Sequence, residues 1–287
     1  MRIGVIYPHF EFGSDPAAIK EYAQTVEGLG YAHIGADDHI IGPNPNRPGG
    51  WSGWVTYRTE FFEPFVLFSF MAAVTQKLEF ETCVLLLPQR QTVLVAKQAA
   101  GVDLLSGGRL RLGIGNGWNE IEYISLGENI HTRGKRIEEQ IEVLRKLWTQ
   151  PLVDWKGAWH TIPDAGISPL PVQRPIPIWF GGQSEVVIRR TARLGEGWMP
   201  LYGSPEEARP GLDLLDQALE QAGRTRQDVG LEARIPYGPG DPERWQRLLE
   251  GWRAAGATHI SLVVTGSGLK TPGQHIEAVK KFAQMLG

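Results

Sequence analysis

Three short stretches of this chain carry residue types suited to chemistry. The first is Asp37-Asp38-His39, which follows the apolar and glycine run His33-Ile34-Gly35-Ala36. A histidine exchanges a proton near neutral pH, and Asp38 beside His39 is placed to orient or charge it. The same residues also read as an Asx-type turn closing a strand. The second stretch is Gly113-Ile114-Gly115-Asn116-Gly117-Trp118, with three glycines at alternate positions. Bare backbone at a strand end lets a flat ring or a phosphate approach amides more closely than a Cβ permits, or it simply ends the strand. The third is Gly181-Gly182-Gln183-Ser184 ahead of a helical pattern, where free amides and the positive helix end suit a phosphate. Cys83 sits inside a Thr, Val and Leu run with no base beside it, so it reads as packing rather than as a nucleophile.

Other chemistries find less support. The strand ends offer no second well-placed histidine and few carboxylates, so no metal centre is expected, because such sites need three or more converging ligands. A glycosidase in a barrel needs two carboxylic acids at strand ends. Asn116 and Arg234 stand at two of those ends instead.

The elements that position these stretches alternate strand and helix. Strands are expected at Arg2–Tyr7, His33–Asp37, Leu78–Leu86, Arg109–Ile114, Ile176–Phe180, Gly197–Pro200, Gly230–Ile235 and His259–Val264. Helices are expected after each, the first opened by Asp15-Pro16 and the sixth by the capping pattern Ser204-Pro205-Glu206-Glu207. Ile137, Ile141, Leu144 and Trp148 fall at helical spacing and form a core stripe. Two segments break the rhythm. Residues 40–60, rich in Pro, Gly, Asn and Trp, exceed an ordinary connection and read as an active-site loop. Residues 151–175 contain Val153-Asp154-Trp155 and Trp159-His160-Thr161-Ile162 around Lys156-Gly157, a small inserted hairpin. Apolar strands alternating with helices predict an α/β fold, a (β/α)8 TIM barrel with insertions after strand 2 and strand 4, occupying 1–287 as one domain. Its active site belongs at the C-terminal strand ends, where Phe10, Asp38, His39, Cys83, Val84, Gly115 to Trp118, Gly181 to Ser184, Tyr202 and Arg234 would gather.

Composition narrows the partners. Net charge is −3 with acids and bases interspersed, which leaves no basic stripe for nucleic acid. The apolar runs are too short to cross a bilayer, and no targeting segment is read at the N-terminus. A single cysteine excludes an intrachain disulfide and fits a reducing cytoplasm. Of ten tryptophans, Trp51, Trp54, Trp118, Trp155 and Trp159 fall in loops, where stacking on a ligand or an interface explains them better than a core does.

The chain resembles the luciferase-like superfamily of flavin- and deazaflavin-dependent oxidoreductases over nearly its whole length. The resemblance rests on Ala96-Lys97-Gln98, Leu104-Leu105-Ser106-Gly107-Gly108-Arg109 with Gly113–Trp118, Arg133-Gly134, Ile178–Ser184 and Gly197-Trp198, in that order. It implies a non-proline cis peptide at Cys83-Val84 beneath the cofactor ring. It implies further that His39, Cys83, Val84, Gly115, Asn116, Gly117 and Trp118 meet the ring or its side chain, and that Gly181, Gly182, Gln183 and Ser184 hold the phosphate. His39 matches the aspartate–histidine pair of the deazaflavin-using members. Trp118 stands where sugar-phosphate dehydrogenases of the family carry a glutamate, which disfavours a sugar phosphate. Phe10, Trp54, Trp118, Tyr202 and Arg234 are the expected substrate contacts. The implied activity is hydride transfer between coenzyme F420 and a small organic molecule, with an FMN-dependent monooxygenase and a non-catalytic flavin-binding barrel as alternatives, and with pairing into homodimers.

Overall fold

The computed structural model describes residues 1–287. Eight parallel strands form the frame: β1 (Arg2–Ile6), β2 (His33–Ala36), β3 (Glu79–Thr82), β4 (Leu110–Gly115), β5 (Ile178–Gly181), β6 (Gly197–Met199), β7 (Gly230–Pro236) and β8 (His259–Val263). Neighbours pair in the order β3-β2-β1-β8-β7-β6-β5-β4, and β3 pairs with β4 through Phe80↔Leu110, which closes the sheet. The molecule is a TIM barrel. Its outer helices are α1 (Pro16–Gly28), α2 (Pro64–Ala72), α3 (Thr92–Ser106), α4 (Arg133–Thr149), α5 (Glu185–Leu194), α6 (Pro205–Gln221), α7 (Pro242–Ala254) and α8 (Pro272–Leu286). Five of them begin as local chemistry dictates: Asp15, Glu63, Ser204, Asp241 and Thr271 accept backbone N–H bonds at the N-cap, each ahead of a proline that has no N–H to lose. No helix is long and apolar enough to cross a membrane.

Strand three departs from the continuous run expected over Leu78–Leu86. It ends at Thr82, passes a cis Cys83-Val84 peptide, and resumes as Leu85–Leu86, paired with Ile114 and Gly115 of β4. A short helix, His9–Phe12, also forms where only a loop was expected after β1.

The barrel interior is less apolar than the strand patterns suggest. His33, Glu81, Arg111, Glu232 and Ser261 are all buried there. Arg111 pairs with both Glu81 and Glu232, and its guanidinium lies 4.4 Å from the centre of the Trp179 ring. Ser261 Oγ donates to Glu232 at 2.7 Å and meets His33 Nε2 at 2.8 Å. A buried charge persists only when paired, and here one guanidinium serves two carboxylates.

The insertion between β4 and β5 contains the expected hairpin, Val153–Lys156 antiparallel to Thr161–Ala165. Glu139 on α4 clips it in place, accepting the backbone N–H groups of Ala158, Trp159 and His160 as well as His160 Nδ1 at 2.8 Å. His160 Nε2 in turn lies 2.6 Å from Thr92 Oγ1 at the start of α3.

Candidate active site

The strand ends enclose a cavity of about 430 Å³. Of the residues expected there, Asp38, His39, Trp54, Cys83, Val84, Gly115, Asn116, Gly117, Trp118, Gly181, Gly182 and Arg234 line it. Gln183 and Ser184 are exposed beyond its rim, and Ser184, the N-cap of α5, makes no side-chain cap bond. Phe10 packs on Trp54 at the edge, with ring centres 5.6 Å apart. Tyr202 does not reach the cavity. Its ring sits against Trp198, and a Cβ placed on Gly211 of α6 would fall 2.6 Å from its hydroxyl, so it faces the outer helix layer.

His39 ends β2, but Asp38 does not orient it. The Asp38 carboxylate takes Arg90 Nη2 at 2.7 Å, Arg90 Nε at 3.3 Å and the Leu86 N–H at 2.9 Å, and so fastens the restart of strand three. The partner of His39 is Glu122, whose Oε1 lies 2.9 Å from His39 Nδ1. Glu122 stands on a short helix, Glu120–Ser125, capped by Asn119 just past the glycine-rich end of β4. Its other oxygen accepts from Gln89 Nε2 at 3.1 Å.

The remaining ionisable groups at the barrel mouth are paired or buried. Arg234 donates to the Cys83 carbonyl at 2.6 Å and lies 3.4 Å from Asp37. Burial alone would lower the pKa of Arg234, but Asp37 and Cys83 more than offset this and raise it, so the guanidinium is a fixed charge. Burial and Asp37 together push the Cys83 thiol well above its ordinary range, which leaves it unreactive. His9, nearby at the end of β1, is buried and lowered by that burial to about 4, and it accepts the Phe62 N–H, so it stays neutral.

The glycines need a different account from the one their spacing suggests. A Cβ on Gly115 would meet Val84 Cγ2, one on Gly181 would meet Val84 Cγ1, and one on Gly113 would strike the Thr82 carbonyl. Gly115 and Gly181 admit the Val84 side chain where strand three leaves the ladder, and Gly113 admits the backbone of Thr82. The result is an apolar step at the cavity floor between two bare strand ends. Gly182, at φ +117°, then turns the chain outward in a conformation that other residues rarely adopt. A flat ring fits this floor, with Val84 beneath it and glycine backbone at its edges, and the cavity volume is ordinary for a small-molecule site.

Aromatic rings wall the opposite side. Trp54 and Phe61 lie 5.6 and 4.9 Å from the His39 ring, and Trp51 of the 40–60 segment stacks on Trp118 at 5.7 Å and 19°. His39 also borders a second cavity of about 240 Å³ beneath that segment, lined by Ile40, Ile41, Val55, Thr56 and Phe61 among others. A roomier space of about 790 Å³ lies between α3 and the hairpin, but none of the eight strand ends opens into it.

A parallel barrel whose strand ends hold a carboxylate-paired imidazole over a glycine-edged, aromatic-walled chamber has the form of a small-molecule enzyme. The model of the luciferase-like monooxygenases matches residues 1–284, and the chain belongs to that family. An uncharacterised protein of Mycobacterium tuberculosis is 37% identical over 215 residues, 72% of this chain and 71% of its own length. The F420-dependent glucose-6-phosphate dehydrogenase of Amycolatopsis mediterranei is 28% identical over 249 residues, 83% of this chain and 69% of that protein. An F420-dependent secondary alcohol dehydrogenase, solved with an F420-acetone adduct, has the same fold with a TM-score of 0.80 at 17% identity, covering 100% of this chain and 99% of that one. The protein is therefore an oxidoreductase-type member of the luciferase-like family.

Proposed function

We propose that the protein transfers a hydride between coenzyme F420 and a small, flat, largely apolar organic substrate, with His39 handling the accompanying proton. One observation carries this reading. Among the ionisable side chains lining the cavity, Asp37, Asp38, Cys83 and Arg234 all bind one another or Arg90, whereas His39 keeps one ring nitrogen without a protein partner. The similarity to F420-dependent relatives supports the choice of coenzyme. When bound, the deazaflavin supplies the two-electron hydride chemistry. The chain would hold its ring over Val84 between Gly115, Asn116 and Gly181, and its phosphate near Gly182, Gln183 and the open N-terminus of α5. Trp54, Trp118 and Phe10 would sandwich the substrate and exclude water, and the one Lys or Arg lining the cavity, Arg234, is already paired with Asp37 rather than free for a substrate phosphate. Residence in the cytoplasm and pairing of two barrels through the exposed Val66, Phe70, Val93 and Leu94 of α2 and α3 belong to the same reading.

The family description favours a second reading, an FMN-dependent monooxygenase using the same chamber. A titration of the purified protein with coenzyme F420 and with FMN separates the two. Tight binding of F420 alone is the expected result. Preference for FMN transfers the site to oxygen chemistry, and binding of neither overturns both. In the F420-loaded enzyme, His39→Gln is expected to cut turnover by about 100-fold or more while coenzyme affinity stays within about threefold. Undiminished turnover refutes the role given to His39.

A further inference from the structure

We propose that Glu122 is the positioning residue for His39. It fixes the imidazole as the Nδ1–H tautomer, so that Nε2 is the nitrogen that exchanges a proton with substrate. This rests on the reading of His39 as the proton-handling group.

The adjacent residue, Asp38, is excluded from that task by geometry, because both of its oxygens are held by Arg90 and one also by the Leu86 N–H. Glu122 is fully buried and comes from a different strand end, 83 residues along the chain. A carboxylate can only accept hydrogen bonds, so the 2.9 Å contact from Glu122 Oε1 to His39 Nδ1 places the proton on Nδ1. The second oxygen is fixed as well, by Gln89 Nε2 at 3.1 Å. Gln89 is itself buried, and its carbonyl oxygen has no other partner to turn the amide away. The helix carrying Glu122 is tied down at both edges of the site, by the Asn119 cap and by the Tyr123 hydroxyl, which donates to the Asn116 carbonyl. On the other side of the ring, His39 Nε2 makes no hydrogen bond within the protein, yet it is not among the buried unpartnered atoms. It is therefore the accessible nitrogen. Trp54, Phe61 and Trp118 hold the ring edge-on at 5.6, 4.9 and 6.1 Å, which restricts its rotation.

The chemistry follows from this arrangement. A free neutral imidazole in water favours the Nε2–H form, in which the nitrogen facing substrate already carries its proton. Glu122 reverses that preference. The proton leaving a substrate hydroxyl or amine goes to the Nε2 lone pair, and the imidazolium so formed has the Glu122 carboxylate beside it as counter-ion. In the opposite direction the imidazolium returns the same proton and the Nδ1–H tautomer is restored.

Long-range ¹H–¹⁵N correlation spectra of protein labelled at histidine test this without any cofactor. The His39 signals are assigned by their loss in His39→Gln, at a pH where the ring is neutral. Wild type is expected to show pyrrole-type Nδ1 and pyridine-type Nε2. Glu122→Gln should keep that pattern, because its amide oxygen still accepts, whereas Glu122→Leu should move His39 toward Nε2–H with the other histidine signals unshifted. In the F420-loaded enzyme, Glu122→Leu should lower kcat about 100-fold with KM within about threefold, and Glu122→Gln should restore part of that loss. An Nε2–H ring in wild type, or an unchanged tautomer in Glu122→Leu, overturns the proposal. If the tautomer responds as stated but His39→Gln leaves turnover intact, the proton-transfer reading of His39 fails while the hold of Glu122 on the ring stands.

Discussion

Arg111→Met tests the charged core of the barrel. Arg111 is the common partner of Glu81 and Glu232, and all three are buried. Without the guanidinium, Glu232 keeps only the Ser261 hydroxyl at 2.7 Å and His33 at 3.6 Å, and Glu81 keeps only His33 at 4.0 Å. Leaving a buried charge uncompensated costs about 3–5 kcal/mol. That is a large share of the ~5–15 kcal/mol that holds a typical domain together. With a urea slope of about 3 kcal/mol per molar, the unfolding midpoint should fall by about 1–1.7 M, read by tryptophan fluorescence and circular dichroism together. The pH dependence has a definite sign. Burial pushes Glu232 upward, but Arg111, His33 and Ser261 outweigh it and hold the carboxyl below its usual 4.5. Its stabilisation is complete above 4.5 and is lost as pH falls through the folded value. In Arg111→Met the burial effect is no longer opposed by the guanidinium, so the deficit should shrink as pH falls from 7 toward 5. Replacing the triad by Met, Leu and Leu together should recover most of the loss, since exchanging a whole buried ion cluster for apolar groups is often neutral or stabilising. A midpoint for Arg111→Met within about 0.2 M of wild type would refute the reasoning.

Glu139→Gln should loosen the inserted hairpin. The Glu139 carboxyl, which burial would raise, is brought down to about 2 by His160 and by three backbone N–H groups, so its contribution is present above 4.5 and lost as pH falls toward 2. Protection of the Ala158–His160 amides, measured against their intrinsic exchange rates, should fall below about pH 4 in wild type and be low already at pH 7 in the variant. Unchanged exchange at pH 7 would show that the clip is dispensable. Gly182→Val forces a β-branched residue into φ +117° and should cost about 2 kcal/mol, lowering Tm by on the order of 5 °C in a thermal melt. A melt indistinguishable from wild type would show that the turn relaxes freely.

Much of the architecture was legible because apolar runs are punctuated by proline, glycine and capping residues. Asp15-Pro16 and Ser204-Pro205 announce α1 and α6 from local chemistry alone, and the barrel follows from counting alternations. What local reading misses is contact between distant segments. Asp38 stood next to His39 and drew the orienting role, whereas Glu122 reaches the ring only once β2 and β4 are folded on either side of β3. For the strand-end glycines, spacing could not say that the groups closest to them are the protein's own, the Thr82 carbonyl at Gly113 and the Val84 side chain at Gly115 and Gly181. Tyr202 lies three residues past β6, yet it packs edge-on against Trp198, whose indole donates to the Gly182 carbonyl, and its hydroxyl lies toward Gly211 of α6. The charged core did leave a trace. Glu81 stands between Phe80 and Thr82, and Arg111 between Leu110 and Leu112, and the period of two puts each on one face of its strand.

His39 lines both cavities, so on the proposed reading the residue that handles the proton also stands where the two meet. His39 is the one residue shared by the linings of the 430 Å³ chamber and the 240 Å³ space beneath the 40–60 segment. Proton handling and size selection would then rest on one residue. Truncating it to alanine would remove the acid–base group and knock the two compartments into one, admitting bulkier molecules while abolishing the step meant for smaller ones. A near-isosteric replacement such as glutamine keeps the wall standing. Comparing the two truncation series against substrates of increasing bulk would separate what His39 does by its proton from what it does by its volume.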